Sequence, residues 1–382
     1  MHTPGTPEEL AEKLHRAAQH LRTIELHGSS SKRLMAGACG HVDEEFSTAA
    51  LDRVLKYEPR DLTISVEAGL AWRELTRVLA ENRQMVPLDP PFAAEATVGG
   101  VIAANSSGPR RRLYGTARDM VIGMRFATLE GKVVETGGMV VKNVAGLDMG
   151  KLLIGSFGTL AAIVVVNFKL QPMPEEERTF LIATGSAEEA IAARDRLLAD
   201  VLQPSAMDLI NPAAGCAWGN GSWLLAVRAG GNRAAMERYE RELGECGGAV
   251  ALEENRQRQF WEDVEEFTPR FLAGHADGAV VRVSCTLKEL LPVMASFRGP
   301  ALARAGSGVA YGYFEECAPA AEWMTGAAGR GWRAVVEFAP ELQKQWLDLW
   351  PSPGGDLELM RRIKNLFDPD NVLNRGRLYQ RI

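Results

Sequence analysis

Twelve of the chain's 38 glycines fall within residues 97–160. They come in clusters: Thr97-Val98-Gly99-Gly100, Asn105-Ser106-Ser107-Gly108, Tyr114-Gly115 and Gly155-Ser156-Phe157-Gly158-Thr159-Leu160. Glycine lets the main chain take positive φ and lets a ligand or a second segment approach it closely. The same stretch carries 8 Lys/Arg against 4 Asp/Glu in a chain of net charge -6. Two readings are open. Gly-Gly and Ser-Gly pairs mark tight turns between short strands. They also build loops whose N–H groups converge on phosphate oxygens, here with the small hydroxyl donors Thr97, Ser106, Ser107, Ser156 and Thr159 beside them. The concentration of glycine and the absence of bulky neighbours favour the phosphate or nucleotide reading.

Taken in order with Lys142-Asn143-Val144-Ala145-Gly146-Leu147-Asp148 and Lys151, these clusters closely resemble the FAD-binding domain of the p-cresol methylhydroxylase and vanillyl-alcohol oxidase type. Within that superfamily the chain looks most like the smaller FAD-binding subunit of bacterial glycolate oxidase. The resemblance spans nearly the whole chain and is specific in the first half and near the end. It implies an α+β fold: a two-subdomain FAD-binding domain over residues 1–174, an antiparallel-sheet cap over 175–350, and a segment 351–382 that returns to the FAD domain. It also implies non-covalent FAD. Some members attach flavin through a His two residues before the equivalent of Arg33, and here that position is Ser31, with His27 ahead of the loop.

Composition bounds the rest. At 382 residues the chain has room for two ordinary domains. Apolar residues at 46% and charged residues at 24% suit a soluble globular protein. A pI near 5.7 and the lack of a basic run argue against nucleic acid as a partner. Cys39, Cys216, Cys246, Cys285 and Cys317 are scattered, which excludes a C-x-x-C pair and suits a reducing cytoplasm. The N-terminal residues lack the layout of a signal peptide. The longest apolar run, residues 160–166, is far short of the ~20 residues of a transmembrane span.

Along the chain, residues 6–21 read as a helix with Leu10, Leu14, Ala17, Ala18 and Leu21 on one face and Thr6-Pro7-Glu8-Glu9 at its start. Residues 24–26 alternate as a strand and run into His27-Gly28-Ser29-Ser30-Ser31-Lys32. This is either a first pyrophosphate loop, as the resemblance implies, or a solvated Gly/Ser loop. The pattern predicts a helix over 48–57, a strand over 62–66, a helix over 72–82 and a hairpin of 121–129 with 133–136. Asp89-Pro90-Pro91 resembles the family's proline segment beside the flavin and equally suits a surface turn. Asp148 stands to cap a helix over 149–154. Beyond Gln171-Pro172-Met173-Pro174 the acids Glu175, Glu176 and Glu177 mark a boundary. Strands are expected at 180–184, 223–227, 279–284, 309–314 and 332–338, with helices at 187–201, 233–243 and 260–267.

The resemblance places the FAD diphosphate against main-chain N–H groups at Gly99, Gly100 and residues 106–108, with Thr97 and Asn105 as further donors. It adds Gly28, Ser29, Ser30, Ser31, Pro90, Tyr114, Gly115, Gly146, Asp148, Gly155, Ser156, Gly158, Thr159 and, from the closing motif, Asn374 as cofactor residues. Arg110, Arg111 and Arg112 could screen phosphates, face a partner or simply be solvated. No Rossmann fingerprint, Walker loop or H-E-x-x-H occurs, and the six His give no metal-ligand spacing.

Three functions follow from the resemblance. The first is an FAD subunit that oxidises a small 2-hydroxy acid, glycolate to glyoxylate, beside a larger FAD-binding glycolate oxidase subunit and an iron–sulfur subunit; those partners could bring it to the inner membrane. The second is an FAD-holding electron-transfer or scaffolding subunit without its own turnover. The third is a stand-alone 2-hydroxy-acid dehydrogenase or oxygen-using oxidase. Related D-2-hydroxy-acid dehydrogenases carry a metal-binding cap motif of two His flanking Gly-Asp-Gly-Asn. This chain lacks it, which leaves Arg228, Arg282 and His275 as the substrate-side candidates.

Overall fold

A computed structural model of the chain describes residues 1–139, 149–244, 248–252, 254–379 and 382. The chain divides into two units. The first comprises Met1–Ser107, Thr116–Met173 and Ser352–Ile382, and the second Gly108–Gly115 with Pro174–Pro351.

In the first unit, helix α1 (Pro7–Gln19) starts where the Glu9 N–H donates to the Thr6 hydroxyl at 3.1 Å. Its buried residues Leu10, Leu14 and Ala17 pack with Ile24 and Phe46 of the parallel pair β1 (Ile24–His27) and β2 (Glu44–Ser47). A five-stranded antiparallel sheet is built from β3 (Val54–Glu58), β4 (Thr63–Glu67), β6 (Val121–Ala127), β7 (Val133–Gly137) and β8 (Ala162–Lys169), in the order β3-β4-β8-β6-β7. The two-residue strands β5 (Gln84–Met85) and β9 (Gln171–Pro172) pair separately. Helices α2 (Trp72–Ala80) and α3 (Val98–Ala103) complete the part that matters for the site.

The helix expected over 48–57 is not formed. Residues 49–53 turn, and Val54–Glu58 is an edge strand, because Tyr57 and Glu58 find partners in Ile64 and Thr63. Val54 and Leu55 are the exposed apolar residues of that edge, so the spacing that mimics a helix face reflects no buried stripe.

The second unit holds one eight-stranded sheet. Its strands are β10 (Glu176–Thr184), β11 (Ala206–Ile210), β12 (Trp223–Gly231), β13 (Val250–Ala251), β14 (Ala279–Ser284), β15 (Ala301–Arg304), β16 (Val309–Phe314) and β17 (Arg333–Phe338), ordered β13-β10-β12-β11-β15-β16-β14-β17. Every pairing is antiparallel. Side chains alternate across a strand. Leu225, Val227, Met207, Leu209, Val281, Val283 and Ala303 therefore face one core, closed by helices that include Ala187–Ala199, Arg233–Gly244, Leu290–Ala295 and Cys317–Gly329. Their neighbours Arg228, Asp208, Arg282 and Arg304 are consigned to the opposite face by the same alternation. This is an α+β architecture whose second unit is a single antiparallel sheet, as the resemblance implies. β11 and β15 escape the sequence reading because five and four residues with a central or terminal charge give too short an alternation to register.

Candidate cofactor site

The site is built at the end of β1. Beyond His27 the main chain turns through Gly28 to Lys32, with Ser30 at φ 60°. The N–H groups of Ser29, Ser30 and Ser31 have no protein acceptor among the described residues. Successive N–H groups around one left-handed residue form a concavity suited to an anion. The turn is braced from behind: the Ser47 hydroxyl donates to the Gly28 carbonyl at 2.9 Å, and His27 Nδ1 lies 2.9 Å from the same oxygen.

Helix α3 forms the opposite wall. Thr97 caps it, accepting from the Gly100 N–H at 3.3 Å. Val98 and Gly99 donate to the carbonyls of Leu70 and Ala68 at 2.9 and 2.7 Å, and Ser106 donates to Val101 at 3.1 Å. These N–H groups are spent within the protein. The Gly99, Gly100 and Ser106 amides, expected at the diphosphate, thus have acceptors within the protein; Gly99 and Gly100 line the cavity, and Ser106 does not. A Cβ on Gly99 would stand 2.8 Å from that of Ala68, whereas one on Gly100 would stand 3.2 Å from Thr97 Oγ1.

The loop Gly155 to Thr159, about fifty residues further on, joins this wall. Gly155 and Phe157 donate to Ile102 and Ala103 at 3.2 and 2.9 Å. Two of the four glycine clusters, at 97–100 and 155–160, thus meet at one place. Gly28, Ser29, Ser30, Ser31, Thr97, Gly99, Gly100, Gly158 and Asn374 line the resulting cavity.

Other expected residues stand elsewhere. Pro90 is buried outside the lining. Asn105, Ser106, Ser107, Gly155, Ser156 and Thr159 lie in the same unit but not in the lining, and the Thr159 hydroxyl is occupied by the Ser156 carbonyl at 2.8 Å. Gly108, Tyr114 and Gly115 belong to the second unit. There Arg110 meets Glu177 at 3.5 Å and Arg112 meets Gln203 at 3.3 Å, so these two arginines of the basic turn have protein partners. Gly146 and Asp148 lie outside the described residues.

Lys32 and Phe157, which lie within motifs singled out in the sequence, also line the cavity, as do Arg33, Cys39 and Arg377, which were not expected there. Arg377 donates to the carbonyls of Arg33 and Gly37 at 3.2 and 3.1 Å, and its guanidinium lies 6.0 Å from the Phe157 ring. The Arg-Gly-Arg triplet after Asn374 is the signal that could have found it. Lys32, Arg33 and Arg377 face a lining whose one carboxylate is Glu25. A diphosphate carries two negative charges that cannot be buried without donors, and this lining supplies cations and free N–H groups together. Behind it, Asn105 Oδ1, Ser106 Oγ and Ser156 Oγ are buried with no partner among the described residues. Such atoms in a folded protein call for a ligand or water. These residues fit a bound FAD.

The substrate-side candidates of the second unit all have protein partners, although Arg228 Nε and Nη1 are buried with no hydrogen-bond partner among the described residues. Arg228 reaches Glu177 at 2.8 Å and Glu265 at 3.9 Å, and lies 5.4 Å from the Trp261 ring. Arg282 pairs with Glu337 at 3.0 Å. Burial raises the Glu337 carboxyl above its usual range although Arg282 opposes the shift. His275 stacks on Phe271 at 4.3 Å with Nδ1 2.9 Å from the Phe271 carbonyl. Among the described residues no group of three His, Cys, Asp or Glu could hold a metal ion, and no helix is long and apolar enough to cross a membrane.

A glycine-walled, cation-lined cavity in an α+β two-domain fold defines a protein that holds an anionic nucleotide cofactor. Comparison with known proteins gives the cofactor its name. Residues 1–137 match the family described as FAD binding domain, and residues 342–378 match FAD linked oxidases, C-terminal domain. Glycolate oxidase subunit GlcE of Escherichia coli (strain K12) is 30% identical over 261 residues, 68% of either chain. Glycolate oxidase subunit GlcD of Bacillus subtilis (strain 168) is 29% identical over 54% of this chain and 44% of its own. Among solved structures, 4-ethylphenol oxidase from Gulosibacter chungangensis shares the fold with a TM-score of 0.76 at 14% identity, over 98% of this chain and 88% of its own. The chain belongs to the family of FAD-linked oxidases of the p-cresol methylhydroxylase type that includes these glycolate oxidase subunits, and FAD is its cofactor.

Proposed function

We propose that this FAD-linked oxidoreductase is the FAD-binding subunit of a multi-subunit enzyme that oxidises glycolate to glyoxylate, passing electrons to an iron–sulfur partner. The observation that carries the reading is the 30% identity to glycolate oxidase subunit GlcE over 68% of either chain. The chemistry FAD supplies when bound is acceptance of a hydride from the substrate α-carbon. The hydroxyl proton then has to leave to a base as the 2-oxo acid forms.

This chain's own residues support cofactor holding more than substrate handling. The loop at Ser29 to Lys32 and the cations Arg33 and Arg377 bind and orient an anion. A small 2-hydroxy acid needs its carboxylate fixed by a cation before its α-hydrogen can be aimed. Arg228 and Arg282 are each ion-paired with a glutamate. That pairing favours a second reading in which the subunit holds FAD and relies on its partners for turnover.

Anaerobic mixing of the FAD-loaded chain with glycolate or D-lactate tests this, followed at the flavin absorbance. Persistence of the oxidised spectrum for the chain alone, with bleaching once partner subunits are added, is expected. Rapid bleaching of the isolated chain, abolished by Arg282→Ala, would make it a dehydrogenase in its own right.

A further inference from the structure

The helix Asp356–Phe367 reads as an amphipathic surface helix, yet Lys364 is 2% exposed and Asp368, just past its end, is 0% exposed. Lys364 Nζ donates to Asp368 Oδ2 at 2.6 Å, to the Thr159 carbonyl at 2.7 Å and to the Leu373 carbonyl at 2.9 Å. An ammonium has three donors, and all three are used. Asp368 in turn accepts from the N–H groups of Val372 and Leu373 at 3.0 and 2.8 Å. A buried pair is expensive to desolvate and is often no more stable than an apolar replacement, so its value here is sought in what it positions.

Its two carbonyl partners are informative. Thr159 ends the loop whose Phe157 and Gly158 line the cavity, and Leu373 precedes Asn374, which lines it too. Asn374 sits at φ 45° and ties the Phe157–Thr159 loop to β1. Its Oδ1 accepts from the Leu26 N–H at 2.6 Å, and its Nδ2 donates to the carbonyls of Leu26 at 3.0 Å and Phe157 at 2.8 Å. Gly158 has to be glycine beneath it, since a Cβ would stand 2.7 Å from Asn374 Nδ2.

We propose that Lys364 and Asp368 are positioning residues for the FAD site, a buried clasp that holds the Gly158 loop and Asn374 in register with β1 so that the cavity has its binding shape. The proposal rests on the assignment of FAD to this cavity.

The test is the FAD dissociation constant of acid-stripped, refolded full-length protein, read by flavin fluorescence quenching beside the thermal midpoint of the apoprotein. Wild type, Lys364→Met, Asn374→Ala, the double variant and Gly100→Glu are compared. Lys364→Met and Asn374→Ala are each expected to weaken FAD by tenfold or more. The double variant should be little weaker than either, because both act through the same segments. Should Lys364→Met fail to fold, Asp368→Asn, which keeps the shape and removes the charge, is measured in its place with the same expectation. A lower apoprotein midpoint with unchanged FAD affinity overturns the proposal and leaves a purely structural pair. Unchanged affinity in Gly100→Glu would instead overturn the placement of FAD in the cavity, and the proposal with it.

Discussion

Gly28 and Thr97 face each other so closely that a Cβ on Gly28 would stand 2.1 Å from Thr97 Oγ1. This contact joins the turn after β1 to the cap of α3, the two walls of the cavity. Gly28→Ala should therefore destabilise the protein by about 1–3 kcal/mol, the usual cost of overpacking, and weaken FAD. Thr97→Ala alone should cost about 1 kcal/mol through the lost cap. The double variant should be more stable than the sum of the two predicts, because removing Oγ1 makes room for the new methyl. Thermal unfolding of the four proteins checks this; strict additivity would contradict the contact.

Gly100 is a different kind of glycine. It lies in α3 and lines the cavity, and a side chain there would start 3.2 Å from Thr97 Oγ1. Gly100→Glu is expected to fold and to lose FAD by tenfold or more, about 1.4 kcal/mol, because a carboxylate would occupy space and repel the diphosphate. A folded variant with full flavin occupancy would contradict the wall assignment.

Much of this was legible in the sequence, and the exceptions have physical causes. The order of glycine clusters, the β1 turn and the alternation in β12, β14 and β16 are local signals, and they survive into the structure. What the chain does with its amides is not local: the Gly99 N–H is spent on Ala68, thirty-one residues earlier, and no spacing rule reveals that. Lys364 reads as one more solvated lysine because its burial depends on the Thr159 carbonyl, 205 residues earlier in the chain. The strand at Val54–Glu58 reads as a helix because a two-sided edge carries no clean period.

Glu67 makes a prediction about pH. It is 1% exposed on β4 and meets Arg53 at 2.7 Å. Burial pushes its carboxyl up, but the Arg53 guanidinium and main-chain N–H outweigh this and hold it below the usual carboxylate range. A carboxylate whose folded value is depressed contributes stability that is present above the unfolded value, about 4.3, and lost as pH falls through the folded one. Glu67→Gln should lower the thermal midpoint at neutral pH and flatten its fall below about pH 4.3. Equal acid slopes for the two proteins would refute this role.

The cavity's chemistry is tested most directly by asking which part of the flavin it recognises. Most of the binding energy is expected at the diphosphate, through the Ser29 to Ser31 amides and the cations Lys32, Arg33 and Arg377 that line the cavity. The purified protein is precipitated with acid, which should release all of its flavin because Ser31 stands where a linking His would be, and the refolded apoprotein is titrated with FAD and with riboflavin. FAD should bind one to one, and riboflavin, which has no phosphate, at least tenfold more weakly, with Arg377→Met narrowing the gap. Flavin retained in the acid pellet, or riboflavin binding as tightly as FAD, would contradict the account.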